Sequence, residues 1–168
     1  WGAVAAGLLV LAIYARRKRW SLLFLLDMMA PGLVLAQGIG RAACLITGDA
    51  MGKPTAGPYG IAYTSPHAMV PALGVYYTPT PAYEAIMNVA IFVLLWNLRE
   101  KRLPSGALFL IYLTLYAGGR FFITFWSSYQ TVALGLNQAQ IISLIAFAVG
   151  LPLLLLLFLR QSKSHVVT

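Results

Sequence analysis

Long apolar runs alternate with short basic clusters along the chain. The runs cover about residues 1–14, 20–38, 83–98, 105–126 and 138–159, and several approach the ~20 residues that cross the hydrocarbon core of a bilayer. This pattern predicts five helices in a single integral membrane domain spanning 1–168, an all-α polytopic membrane protein. Asp27 and Pro31 interrupt the second run, and a proline there predicts a kink whose freed backbone groups are satisfied by neighbouring helices. Gly118, Gly119 and Arg120 interrupt the fourth. Between 39 and 81 the pattern changes to a long loop that holds most of the prolines and several tyrosines. Loops of that length are usually functional or disordered, and this one reads as ordered. Residues 127–137 form a short polar return.

Charge sharpens the topology. Nine of the twelve Lys and Arg residues fall in three segments, 16–19, 99–102 and 160–163. Cytoplasmic loops carry such excess, so these segments and the C-terminus are expected in the cytoplasm, with the 39–81 loop and the 127–137 return facing outward. A net charge of +8 distributed in this way marks membrane topology, and no nucleic-acid partner is expected. The single Cys44 rules out an intrachain disulfide and a multi-cysteine metal site, and neither a metal nor another cofactor is suggested. Trp1 opens inside an apolar run with no signal-peptide pattern, so further chain is expected upstream.

Several polar residues then fall at one depth, near the outer face. Arg41 closes the second helix, and Glu84 opens the third beside Tyr83. Arg120 lies about fifteen residues into the fourth helix, in its outer third at ~1.5 Å per residue, and Tyr116 sits four residues earlier on the same face. Asp49 and His67 lie in the outer loop. Arginine suits phosphate because its planar fork donates parallel hydrogen bonds. The glycines of the 38–52 stretch, Gly40 among them, let backbone N–H groups approach an anion closely. Together these point to an anionic phospholipid site lined by Arg41, Arg120, Gly40 and Asp49, with Tyr116, Glu84 and His67 as candidates for catalysis.

Plainer readings stand beside these. Arg41 and Glu84 pair simply to hold two helix ends together, since buried charges are normally paired. Arg120 snorkels to the interface, although Gly118 and Gly119 argue for close packing at that point. Asp27, read as lying near the midplane, makes a helix–helix hydrogen bond. Cys44 is a small buried apolar side chain, and Tyr63, Tyr76 and Tyr77 are interfacial anchors.

Five segments carry a resemblance. Asp27-Met28-Met29-Ala30-Pro31, Gly40-Arg41 with Gly48-Asp49 and Gly52, Pro79 to Glu84, Tyr116 to Arg120, and Gly135 to Ser143 occur in the order of the prolipoprotein diacylglyceryl transferases, which the chain resembles over essentially its whole length. The resemblance implies a bacterial inner-membrane enzyme that moves diacylglyceryl from phosphatidylglycerol to the lipobox cysteine of a preprolipoprotein at the outer face. It implies seven helices in the complete chain, and it gives Arg41 and Arg120 the lipid phosphate, with Tyr116 and Glu84 lining the same site. The family's histidine falls on Trp1, its signature asparagine on Cys44, its signature glutamate on Asp49 and a further histidine on Thr78. Thr124 and Ser127 stand at two positions the family fills with charged residues. The implied phosphate clamp is therefore kept while the base is altered. The alternative from another class is a non-catalytic homologue that keeps the lipid site and serves among other membrane subunits. A transporter fits less well, because the polar residues gather at one face.

Overall fold

A computed structural model describes residues 2–133 and 135–164. Five helices make the framework: α1 (Gly2–Lys18), α2 (Leu22–Thr47), α3 (Thr80–Leu98), α4 (Ala107–Ile123) and α5 (Gln138–Ser164). Four stretches are long and apolar enough to cross a bilayer: Leu22–Thr47, Thr80–Leu98, Ala107–Trp126 and Gln138–Gln161. The protein is an all-α, multi-pass membrane protein. At 17 residues, α1 is shorter than the ~20 that a span needs.

Two boundaries differ from the apolar pattern for physical reasons. The second helix does not stop near residue 38 but runs to Thr47, closed by Gly48 in the left-handed region at φ 77. Glycine within a helix costs only about 1 kcal/mol, and Ala42 to Ile46 resume the apolar sequence. Arg41 is therefore inside the helix. The third helix begins at Thr80, where Pro81 sits in the first turn and its missing N–H costs nothing.

Asp27 also lies elsewhere than the midplane. Because α2 starts at Leu22, Asp27 sits near its first turns, at the end of the bundle that carries the basic clusters. There its Oδ2 accepts from the Gly106 N–H at 2.5 Å and its Oδ1 from the Phe109 N–H at 2.8 Å. Gly106 cannot cap α4 with a side chain, so a carboxylate from another helix satisfies those orphan donors. Beyond this cap, Ala30, Val34, Ile91, Leu95, Leu108 and Tyr112 form the buried core joining α2, α3 and α4. Gly119 lets α4 close on α3, since a Cβ there would lie 2.1 Å from Met87 Sδ.

At the opposite end the long connection between α2 and α3 is tied down. Strands β1 (Ile61–Ala62) and β2 (Tyr76–Tyr77) pair antiparallel. The Tyr63 hydroxyl donates to the Leu45 carbonyl, and Met69 N–H donates to the Thr47 carbonyl at 2.9 Å. Burial pushes the Tyr63 phenol above its ordinary range. Lys53 binds the end of α4, donating from its backbone N–H to the Trp126 carbonyl at 2.9 Å and from Nζ to the Phe125 carbonyl at 3.1 Å. Tyr63 and Lys53 thus serve as fastenings.

A second antiparallel pair, β3 (Thr131–Ala133) and β4 (Leu136–Asn137), leads into α5. Asn137 and Gln140 form a reciprocal cap: Gln140 N–H donates to Asn137 Oδ1 at 2.9 Å, and Asn137 N–H donates to Gln140 Oε1 at 3.0 Å. Thr124 steadies the same corner, its hydroxyl donating to the Arg120 carbonyl at 2.8 Å while its carbonyl accepts from Asn137 Nδ2 at 3.3 Å.

Candidate functional site

The lengthened α2 and the early start of α3 bring three charged side chains together. Arg41 Nε lies 2.6 Å from Glu84 Oε2, and Arg120 Nη1 lies 2.5 Å from the same oxygen. The Glu84 side chain is 3 % exposed, against 21 % for Arg41 and 16 % for Arg120. One buried carboxylate therefore joins α2, α3 and α4: Arg41 pairs with Glu84, and Arg120 shares the pair. A guanidinium has five N–H donors. Glu84 engages one nitrogen on each, and the rest have no acceptor among the described residues.

The triad carries one net positive charge. Tyr116, Tyr129 and Cys44 lie within electrostatic reach of Arg41. The Tyr116 ring stacks at 5.9 Å on Tyr112, whose hydroxyl donates to Gln37 Oε1 at 3.1 Å. A polar seam thus runs from the triad down the interior of the bundle.

Two cavities meet at Arg120. One, of about 440 Å³, is a largely apolar trough whose walls include Leu113, Tyr116, Ala117 and Ala146, with Gln37 and Ser143 as its polar marks. The other, of about 450 Å³, is lined by Tyr129, Gln130, Val132 and Gln138. Arg120, Ala139 and Ile142 wall both. A guanidinium at the junction of a recess that carries polar side chains and a more apolar trough suits a molecule with an anionic centre between a polar head and a hydrocarbon tail.

The other candidates fall outside this constellation. Gly40 is helical and exposed, so its N–H belongs to the α2 ladder. Asp49 is exposed, accepts from the Ala50 N–H at 2.8 Å, and has Cys44 Sγ 3.9 Å from its Oδ2. His67 is exposed and lines neither cavity that holds Arg120; its backbone N–H donates to Ser65 Oγ at 3.3 Å. Trp1 lies outside the described residues. Tyr129, Gln130 and Gln138 were not singled out by the sequence, where they read as a polar return and a helix start. Their only signal is an aromatic residue set among polar ones.

Comparisons with known proteins identify the family. The family model described as prolipoprotein diacylglyceryl transferase matches residues 1–156. A phosphatidylglycerol–prolipoprotein diacylglyceryl transferase of Dehalococcoides mccartyi is 36 % identical over 168 residues, covering 100 % of this chain and 64 % of the relative. Proteins with the same description from Clostridium tetani and Thermosynechococcus vestitus are each 34 % identical, over 154 and 152 residues. They cover 90 % and 89 % of this chain but 60 % and 57 % of their own lengths. The chain thus spans less than two thirds of these relatives.

Proposed function

The chain belongs to the prolipoprotein diacylglyceryl transferase family, and from that premise we propose that it transfers diacylglyceryl from phosphatidylglycerol to the lipobox cysteine of a preprolipoprotein. The observation that carries this reading is the convergence of Arg41 and Arg120 on one Glu84 oxygen, with Arg120 walling both the recess and the apolar trough. The three residues sum to one positive charge, which matches the single negative charge of a phosphodiester.

Chemistry follows from that charge match. The acceptor thiol releases its proton to water, from which the departing phosphate dianion can take one up, because the thiolate is the nucleophile. Sulfur then attacks the glycerol carbon that bears the phosphate. The S–C bond forms as the C–O bond breaks, and glycerol phosphate leaves with the bonding electrons. The phosphate gains a second negative charge as it departs. The uncommitted donors of Arg41 and Arg120 meet that developing charge, so their interaction is stronger in the transition state than with the bound lipid. Tyr116, which lines the trough, is assigned to orient the glycerol. No step is assigned to His67.

By the same reading, the basic end of the bundle and the C-terminus face the cytoplasm, and the clamp lies toward the outer face of the inner membrane. The test is mass spectrometry of a lipobox peptide incubated with the full-length protein in phosphatidylglycerol membranes. The peptide is expected to gain one diacylglyceryl group, and Arg41→Ala and Arg120→Ala are expected to abolish the gain. An unmodified peptide beside protein that still retains the lipid would contradict transfer and leave a lipid-binding membrane subunit.

A further inference from the structure

The clamp explains why an anionic lipid binds but not which headgroup it carries. This inference rests on the proposal that a phospholipid phosphate sits on Arg120. With the phosphate there and the acyl chains along the trough, the headgroup falls in the recess lined by Tyr129, Gln130 and Gln138.

The β3–β4 hairpin builds that recess. Thr131 pairs with Asn137, and the next residue outward on each side, Gln130 and Gln138, lines the recess. Two carboxamides therefore flank the recess together, one entering the hairpin and one leaving it. Both are exposed, and the hydrogen bonds among the described residues leave their amides uncommitted. A carboxamide presents two donors and an acceptor with no charge, which suits an alcohol hydroxyl that also donates and accepts. The described lining contains no carboxylate to hold an ammonium group, and Arg120 repels one.

We propose that this recess is a headgroup pocket in which Gln130 and Gln138, with the Tyr129 hydroxyl, select phospholipids bearing an uncharged, hydroxylated headgroup. The trough selects for hydrocarbon and the clamp for phosphate, so the hairpin is the part that reads the alcohol.

Native mass spectrometry of the full-length protein, exchanged with equal amounts of phosphatidylglycerol and phosphatidylpropanol, isolates this effect. The two lipids share charge and phosphodiester and differ only in the headgroup hydroxyls. The wild type is expected to favour phosphatidylglycerol by about five- to thirtyfold, the equivalent of one or two hydrogen bonds at about 1 kcal/mol each. Gln130→Leu with Gln138→Leu is expected to bring the ratio to one while both lipids still bind through the arginines. Gln138→Glu should instead lower retention of phosphatidylglycerol and raise that of phosphatidylethanolamine. A wild type that binds both anionic lipids equally, or a double variant that keeps the full preference, would overturn the headgroup pocket and leave the clamp standing. Failure of the wild type to hold either anionic lipid would overturn both.

Discussion

Asp27 and Glu84 each fasten helices together, one at the basic end of the bundle and one at the loop end. Asp27 does so through the backbone. Its two oxygens accept from the N–H groups of Gly106 and Phe109, whose positions are fixed by α4 itself. Glu84 does so through two long side chains, with one oxygen serving both Arg41 and Arg120. The first arrangement uses up the donors it meets. The second leaves most donors of both guanidinium groups without an acceptor among the described residues. A half-buried carboxylate held by backbone is a structural part, whereas a buried one held by shared arginines keeps two cations together, preorganised and short of acceptors among the described residues. That difference is why the loop end of the bundle, and not the basic end, is assigned the chemistry.

The largest expected effect breaks the loop-end joint. Glu84→Ala leaves two partly buried guanidinium groups side by side, and removing one partner of a buried ion pair costs about 3–5 kcal/mol. Thermal unfolding in detergent should show a strongly lowered midpoint, with partial recovery when anionic lipid is added. Asp27→Ala removes a cap and should cost about 1–2 kcal/mol. Lipid retention and transfer by the fraction that remains folded should be unchanged, because the clamp lies at the other end. If Asp27→Ala weakened lipid binding as much as Arg120→Ala does, the two joints would not be separable as described.

A smaller effect concerns the long connection between α2 and α3. The Tyr63 phenol is raised by burial, so its folded pKa lies above its unfolded value near 10. Its contribution is then fully present below about pH 10 and is lost as pH rises from there through the folded value. Limited proteolysis of the 48–79 connection should accelerate only in that alkaline range. Tyr63→Phe should show the faster cleavage at neutral pH and little further change with alkali, since it lacks both the donor to Leu45 and the titrating group.

Much of this was legible from residue order, because lipid leaves few choices. Apolar runs of spanning length and the alternation of basic clusters give the helices and which ends lie together. Arg41, Glu84, Tyr116 and Arg120 stand out because charge and tyrosine are rare in such runs. That one carboxylate oxygen serves both arginines is not written in any single segment. It depends on how α3 is rotated between α2 and α4, which the Met87–Gly119 contact helps to set. The end of α2 was misplaced because Gly38 and Gly40 suggest a break that the apolar residues beyond them override. The true place of Asp27 follows from the same shift, and its partner could be sought at Gly106, where a helix begins without a capping side chain. Tyr129, Gln130 and Gln138 stayed hidden because the hairpin that brings them to one recess has no signature in so short a stretch.

The most direct test of the central claim, that Arg41 and Arg120 act as one phosphate clamp, is native mass spectrometry of phosphatidylglycerol retained by the wild type, each Arg→Ala variant and the double variant. The account predicts a loss of about tenfold or more in each single variant, the size of one charge-assisted hydrogen bond or more, and little further loss in the double, because members of one network are not additive. Retention at the wild-type level in either folded single variant, or losses that simply multiply in the double, would contradict it.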